Sequence, residues 1–381
     1  MNIFPIILTG WPAMILAYTG AFLITWFSVP LIIKVSLRRN LTDKPGVHKI
    51  HNKETPTLGG IGIFCGFAFG FLLSVNDNMD GVPSFMAALI ILLFIGIKDD
   101  LLAITPLKKI GIQVSAGLII STFTHLRFTS LHGFLGFNEI PVILSFFITV
   151  FVVVIIINSY NLIDGVDGLA SSIGIIISMF YGAWFWLYGD YGYAIMSTAL
   201  IGALTIFLVF NVSKGSNKIF MGDTGSMVIG FILAVMTIRF NEINANGISF
   251  HKLISSPSIS IAVLIIPLFD TVRVMTIRLV RRQHFFVADN RHIHHLLLRA
   301  GCSHKKTTLL ISLANIFIIV IALSLDRMGI FMLALVLLFI SVFLTTIVYI
   351  IVAHKENWNW KGGVIKTFLK HDKSRINSSI G

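Results

Sequence analysis

An all-α, polytopic integral membrane protein is the fold class this sequence predicts. Of its 381 residues, 56% are hydrophobic and only 12% are charged, whereas soluble domains carry about 25% charged residues. Apolar runs near the ~20 residues that cross a bilayer recur along the chain. No polar stretch between them approaches the roughly 50 residues of a separate soluble domain, so residues 1–381 read as one membrane domain.

The first run, about 8–33, lacks a basic leader and exceeds a signal-peptide core, so it reads as a retained helix. A basic loop, 34–57, then ends in Pro56-Thr-Leu-Gly-Gly and opens the run at 59–75. Runs at 84–98 and 107–124 flank Asp99-Asp100 and a lysine-bearing loop. The run at 141–158, rich in Val and Ile, leads into Asn161-Leu-Ile-Asp-Gly-Val-Asp-Gly. Further runs at 168–188 and 191–210 precede Met221-Gly-Asp-Thr-Gly-Ser, which starts the run at 224–239. The remaining spans fall at 258–279, 308–325 and 328–353, with a loop rich in Arg and His after the first of these. About eleven transmembrane helices are expected.

Charge orients them. Loops 34–57, 98–109, 211–222 and 278–308 and the tail hold all but five of the 29 Lys and Arg residues. Four of those five (Arg127, Arg239, Lys252, Arg327) fall in the alternate loops, and Arg273 lies within a span. Short cytoplasmic loops carry the positive excess, so the basic end is cytoplasmic, with the N-terminus outside and the C-terminus inside. The net charge of +12 does not mark a nucleic-acid binder, because the cations are dispersed among apolar runs. Anionic membrane lipids and phosphorylated substrates fit better. Two cysteines, Cys65 and Cys302, make neither a disulfide framework nor a cysteine metal site.

The carboxylates sort by the same division. Those on the outer side (Asp77, Asp80, Glu139, Asp190, Glu242, Asp326) read as solvated turn residues. Those on the basic side, Asp99, Asp100, Asp164, Asp167 and Asp223, sit at membrane boundaries, where charge needs a partner or a role. A shared cation accounts for them together. Individually, milder readings stand: Lys98, Lys108 and Lys109 could neutralise the Asp pair, and Asp167 could cap the following helix. Asp223, between two glycines where a helix would begin, suits phosphate or a phosphate-bound metal, although the Walker pattern is missing. In the loop from Arg281, a helix over 291–299 would put His292 and His295 on one face with Arg291 one turn from His295. Diphosphate binding, anionic-lipid binding and, more weakly, zinc remain open there.

In combination and order, Pro56-Thr-Leu-Gly-Gly, Asp99-Asp100, Asn161-Leu-Ile-Asp-Gly-Val-Asp-Gly, Met221-Gly-Asp-Thr-Gly-Ser and His292-Ile-His-His-Leu resemble the polyprenyl-phosphate N-acetylhexosamine-1-phosphate transferases, over about residues 43–301. The His-Ile-His-His pattern is similar to the branch that uses UDP-GlcNAc rather than the histidine triplet of the muramyl-pentapeptide branch. The resemblance implies transfer of GlcNAc 1-phosphate from UDP-GlcNAc to undecaprenyl phosphate at a cytoplasmic site built from loops of the bacterial inner membrane. UMP would be released, and a polymer such as O-antigen, enterobacterial common antigen or a teichoic-acid linkage unit begun. Another UDP-N-acetylhexosamine or UDP-MurNAc-pentapeptide is the alternative donor; an ion-coupled transporter, for which Asp270 is the one plausible coupling carboxylate within a span, is the alternative class. The implied metal is Mg2+, with Mn2+ as substitute, held by Asp223 and Asn161. Asp99 and Asp100 would act near the lipid phosphate, and Asp164 and Asp167 near the nucleotide. His292, His294, His295 and Arg291 would stabilise diphosphate charge, His292 foremost. A homodimer is compatible with these features.

Overall fold

The computed structural model describes residues 10–43, 55–75, 79–134, 137–246, 252–283 and 291–355. Lys44, Lys49, Lys53, Asp77, part of the Arg/His loop and most of the basic tail lie outside the described residues. Each of the eleven apolar runs forms a helix: α1 (Trp11–Arg38), α2 (Gly59–Ser74), α3 (Val82–Leu101), α4 (Pro106–Phe123), α5 (Val142–Leu162), α6 (Leu169–Tyr188), α7 (Tyr191–Asn211), α8 (Gly222–Asn246), the pair α9 (Ser256–Val263) and α10 (Ile265–Val280), α12 (His304–Ser324) and α13 (Ile330–Lys355). Short α11 (Ile293–Arg299) lies in the Arg/His loop, and two small antiparallel strand pairs with two single-turn 3-10 helices (Gly215–Asn217 and Asp326–Met328) complete the described elements.

Length and apolarity qualify eight of the described helices as membrane spans, or nine if α9 and α10 count as one. The expected eleven are not reached on this criterion. α2, with 16 residues, extends about 24 Å against a hydrocarbon core of about 30 Å. α4 carries Lys108, Lys109 and Gln113 in its first turns. The run at 258–279 is bent by 82° between α9 and α10. Pro267, third in α10, cannot donate to the carbonyl of Val263 and crowds it, which breaks the helix. Asn315 of α12 donates to the freed Ala262 and Val263 carbonyls at 3.4 and 3.3 Å, so these two carbonyls are not left bare in the apolar layer.

α8 is the axis. Its apolar residues are buried all round, from Met227 to Phe240, as a helix hydrophobic on every face requires. α2, α3, α5, α6, α7 and α9 pack on it. Its start is wedged against α2: Gly59 and Gly60 donate to the carbonyls of Phe220 and Met221 at 3.1 and 2.9 Å, and Phe220 donates to Pro56 at 2.8 Å. A side chain on Gly60 would run into the backbone of Gly225, so the paired glycines of the Pro56 motif serve close approach.

Polar ties sort to the two ends of the bundle as the alternate loops do. At the end remote from the motifs, Arg239 pairs with Asp190 at 2.7 Å and Glu242 accepts from Thr129 at 2.8 and 2.7 Å. There Asp326 accepts from Ile254 and Ser255 at 3.1 and 2.8 Å. Those three carboxylates are structural ties, not the solvated turn residues their sequence suggested.

Candidate active site

Helix termini build the motif end. The side chain of Asp100, near the end of α3, accepts from the backbone N–H of Asp223 at 2.7 Å and from Thr224 N–H and Oγ1 at 3.1 and 2.5 Å. It caps α8 from a neighbouring helix, satisfying donors left unpaired in the first turn. Asp99 accepts from Ile104 N–H at 2.8 Å and pairs with Lys109 of α4. The same ammonium reaches Asp223 at 2.9 Å, so neutralisation by lysine is realised and extends to a second carboxylate. Asn161, at the end of α5, donates to Asp223 Oδ1 at 2.5 Å and to Ser226 Oγ at 2.7 Å. Four helices thus deliver Asp99, Lys109, Asn161 and Asp223 to one point. Asp223 is its open member, with 34% of its side chain exposed against 6% for Asp99.

In the α5–α6 loop two carboxylates have opposite environments. Burial holds Asp164 well above the ordinary carboxylate range, reinforced by the charges of Asp223, Asp100 and Asp167. Burial also presses Asp167 upward, but hydrogen bonds and charge from His304 and Lys218 outweigh it and hold the group below that range. Its Oδ2 lies 2.6 Å from Lys218 Nζ and 3.2 Å from His304 Nδ1. Asp167 does not cap α6: the cap residue is Gly168, whose N–H donates to Asn211 at 2.6 Å.

α11 begins at Ile293, with His292 as its cap residue rather than inside it. The His292 ring therefore lies parallel to that of His294, with centroids 5.7 Å apart, instead of sharing a helical face with His295. His294 and His295 are 4.3 Å apart. Asp270 of α10 anchors the segment, with Oδ2 2.9 Å from His292 Nδ1 and both oxygens 3.2 Å from Ile293 N–H. Arg291 donates to Gln283 at 2.6 Å. Burial and then neighbouring His295 push His294 down to about 3, so it is neutral and cannot supply the positive charge expected of it. Its Nε2 instead faces Gly165, where an added Cβ would stand 2.5 Å away. That contact joins the histidine segment to the Asp164–Asp167 loop.

A model of glycosyl transferase family 4 matches residues 82–241. An Escherichia coli (strain K12) protein, undecaprenyl-phosphate alpha-N-acetylglucosaminyl 1-phosphate transferase, is 31% identical over 296 residues, 77% of this chain and 78% of the relative. Its Yersinia pestis namesake is 30% identical over 298 residues, covering 77% and 80%. A Bacillus subtilis (strain 168) protein, probable undecaprenyl-phosphate N-acetylglucosaminyl 1-phosphate transferase, is 27% identical over 342 residues, covering 88% and 91%. The chain belongs to the polyprenyl-phosphate N-acetylhexosamine-1-phosphate transferases.

This membrane transferase accordingly transfers a glycosyl 1-phosphate unit, and all ten residues singled out in its sequence lie at the motif end of the bundle. Sequence reasoning gave too little weight to three others. Lys109 was one of three lysines that could neutralise the Asp99-Asp100 pair, Thr224 lay inside the Met221 motif without a role of its own, and Asp270 stood out only as a carboxylate inside a span. The metal reading was confined to Asp223 and Asn161. Among described residues no three His, Cys, Asp or Glu side chains converge on a metal position. Mg2+ needs fewer protein ligands, since it keeps waters and takes substrate phosphate oxygens. Asp99 and Asp223 already share one cationic group in Lys109, and a half-turn of the Asn161 amide would turn its oxygen toward the same point. This oxygen donor set fits a hard divalent cation.

Proposed function

We propose that this transferase moves GlcNAc 1-phosphate from UDP-GlcNAc to undecaprenyl phosphate on the cytoplasmic face of the bacterial inner membrane, starting a cell-surface polymer. The observation that carries the reading is the convergence of Asp223, Asp99 and Lys109, with Asn161 beside them, on one partly open point at the basic end of the helices. The relatives' names and the His-Ile-His-His segment support the donor and the acceptor.

An oxygen of the lipid phosphate attacks the sugar-linked phosphorus; the bond from that phosphorus to the oxygen bridging to the nucleotide breaks, and UMP leaves with the electron pair. A phosphate monoester with a second pKa near 6 is already mostly dianionic at neutral pH, so no side chain has to remove a proton. Asp99 and Asp100 therefore act by position, Asp100 by fixing the start of α8. Asp223 and Asn161 would hold Mg2+, with Mn2+ as a substitute, and the ion when bound neutralises diphosphate charge. Asp164 and Asp167 lie on the nucleotide side, with Lys218 and His304 holding Asp167 in place. His292, oriented by Asp270, stabilises charge that develops on the diphosphate, with Arg291 and His295 beside it. Asp270 is engaged by Arg273 and His292, which takes from the transporter alternative its candidate coupling carboxylate.

The test uses purified protein, undecaprenyl phosphate and Mg2+. UMP release from UDP-GlcNAc should far exceed release from UDP-MurNAc-pentapeptide and should be abolished, or made to demand far more Mg2+, by Asp223→Asn. Comparable kcat/KM for the two donors would refute the donor assignment. Unchanged Mg2+ dependence in folded Asp223→Asn would refute the metal assignment.

A further inference from the structure

The final helix, α13, carries none of the motifs and lies beyond residue 241, where the match to the family model ends. Beyond the bond that Ser258 donates to its first carbonyl, two of its side chains make polar contacts near the two ends of α11. Tyr349, part-buried on α13, accepts a hydrogen bond from Arg273 Nη1 at 2.5 Å, and its ring lies 5.7 Å from the guanidinium carbon. The other branch of the guanidinium, Nη2, donates to Asp270 Oδ1 at 2.5 Å and to the Arg291 carbonyl at 2.6 Å. Asp270 in turn holds His292 Nδ1 and Ile293 N–H. Six residues beyond Tyr349, Lys355 Nζ donates to the carbonyl of Ala300, the C-cap residue of α11, at 2.9 Å.

The spacing suits the object held. Six residues advance a helix by about 9 Å, and seven-residue α11 is about 10 Å long. A guanidinium within an apolar helix must be paired, and its rigid fork loses little freedom in making several bonds at once. Arg273 therefore transmits the position of Tyr349 to both Asp270 and Arg291.

We propose that α13 belongs to the catalytic apparatus as a strap across the histidine helix, with Tyr349 and Arg273 as positioning residues that set the His292 imidazole through Asp270. The inference rests on the reading of His292 as a group that stabilises diphosphate charge.

The experiment is a double-mutant cycle on the full-length enzyme, with UMP release as the readout. Tyr349→Phe keeps the ring and removes the hydroxyl. It should lower kcat about tenfold, the scale of one charge-assisted hydrogen bond, and leave KM for UDP-GlcNAc within about twofold. In a His292→Ala background the same change should have no further effect, because what it positions is gone. A kcat within about twofold of wild type, a change confined to KM, or an equal fold-loss in the His292→Ala background would each overturn the strap. Should Tyr349→Phe fail to fold, Arg273→Lys, which retains the charge but not the fork, is put through the same cycle against the same criteria. A fully active His292→Ala enzyme would overturn the underlying reading of His292 instead, and so separates the two failures.

Discussion

Gly165→Ala tests whether two motifs far apart in sequence meet as described. Gly165 is absent from the glycines with positive φ, so alanine meets no backbone penalty and the effect must come from what its methyl touches. That methyl would stand 2.5 Å from His294 Nε2 and 3.3 Å from two ring carbons, where ordinary contact begins at 3.4 Å. The ring would have to retreat by about 0.9 Å, the difference between 3.4 and 2.5 Å. It cannot do so alone, because His294 is buried and its ring lies against both His292 and His295. The displacement therefore passes to α11 and His292. A misplacement of about 1 Å at a reacting centre can cost about a hundredfold, so kcat for UMP release should fall between about 10- and 100-fold while the protein stays folded. Gly111→Ala in α4, where an added Cβ meets nothing within 4 Å, is the control and should retain wild-type turnover. Wild-type kcat in Gly165→Ala would refute the contact between the Asp164–Asp167 loop and the histidine segment.

Asp100→Ala removes a cap that accepts three hydrogen bonds and should destabilise the fold by about 2 kcal/mol, seen as a lower thermal midpoint in detergent; an unchanged midpoint contradicts the capping role. Asp164 is held above its ordinary range, so the folded state binds more protons there than the unfolded state, and stability falls as pH rises from the ordinary carboxylate range through the raised value. Asp164→Asn, measured with a chelator present, should therefore raise the thermal midpoint more at pH 8 than at pH 5 while reducing turnover, and an equal effect at both pH values contradicts this sign. On a background without Cys65 and Cys302, cysteines at Ser216 and Ser303 should react with an impermeant reagent only after the cytoplasmic side is opened, and one at Met328 from outside intact cells; the reverse pattern would invert the orientation.

Much of this was legible because it depends on local pattern. Each apolar run became a helix, and the sorting of basic loops matches the sorting of helix ends. Asp223 stands at the start of α8 as its glycine-flanked motif suggested. What was not legible depends on distant partners. Asp100 caps a helix that begins 122 residues later in the sequence, and no local pattern announces such a cap. Lys109 read only as one of three lysines near Asp99-Asp100, and its second carboxylate, Asp223, comes from a helix more than a hundred residues away. Asp270 was isolated in an apolar run, and its meaning emerged only when the break at Pro267 aimed α10 toward the histidine segment. The helix expected over 291–299 starts two residues later, at Ile293, so His292 becomes its cap residue and the expected pairing of His292 with His295 gives way to a stack of His292 on His294.

The central claim is that phosphate travels with the sugar, and one labelling experiment addresses it directly. Purified enzyme is given undecaprenyl phosphate, Mg2+ and UDP-GlcNAc carrying 32P in the phosphate bonded to the sugar, and the lipid and nucleotide products are separated. The label should enter the lipid, and unlabelled UMP should appear in equal amount. Label recovered in UDP, with only the sugar carried to the lipid, would contradict it.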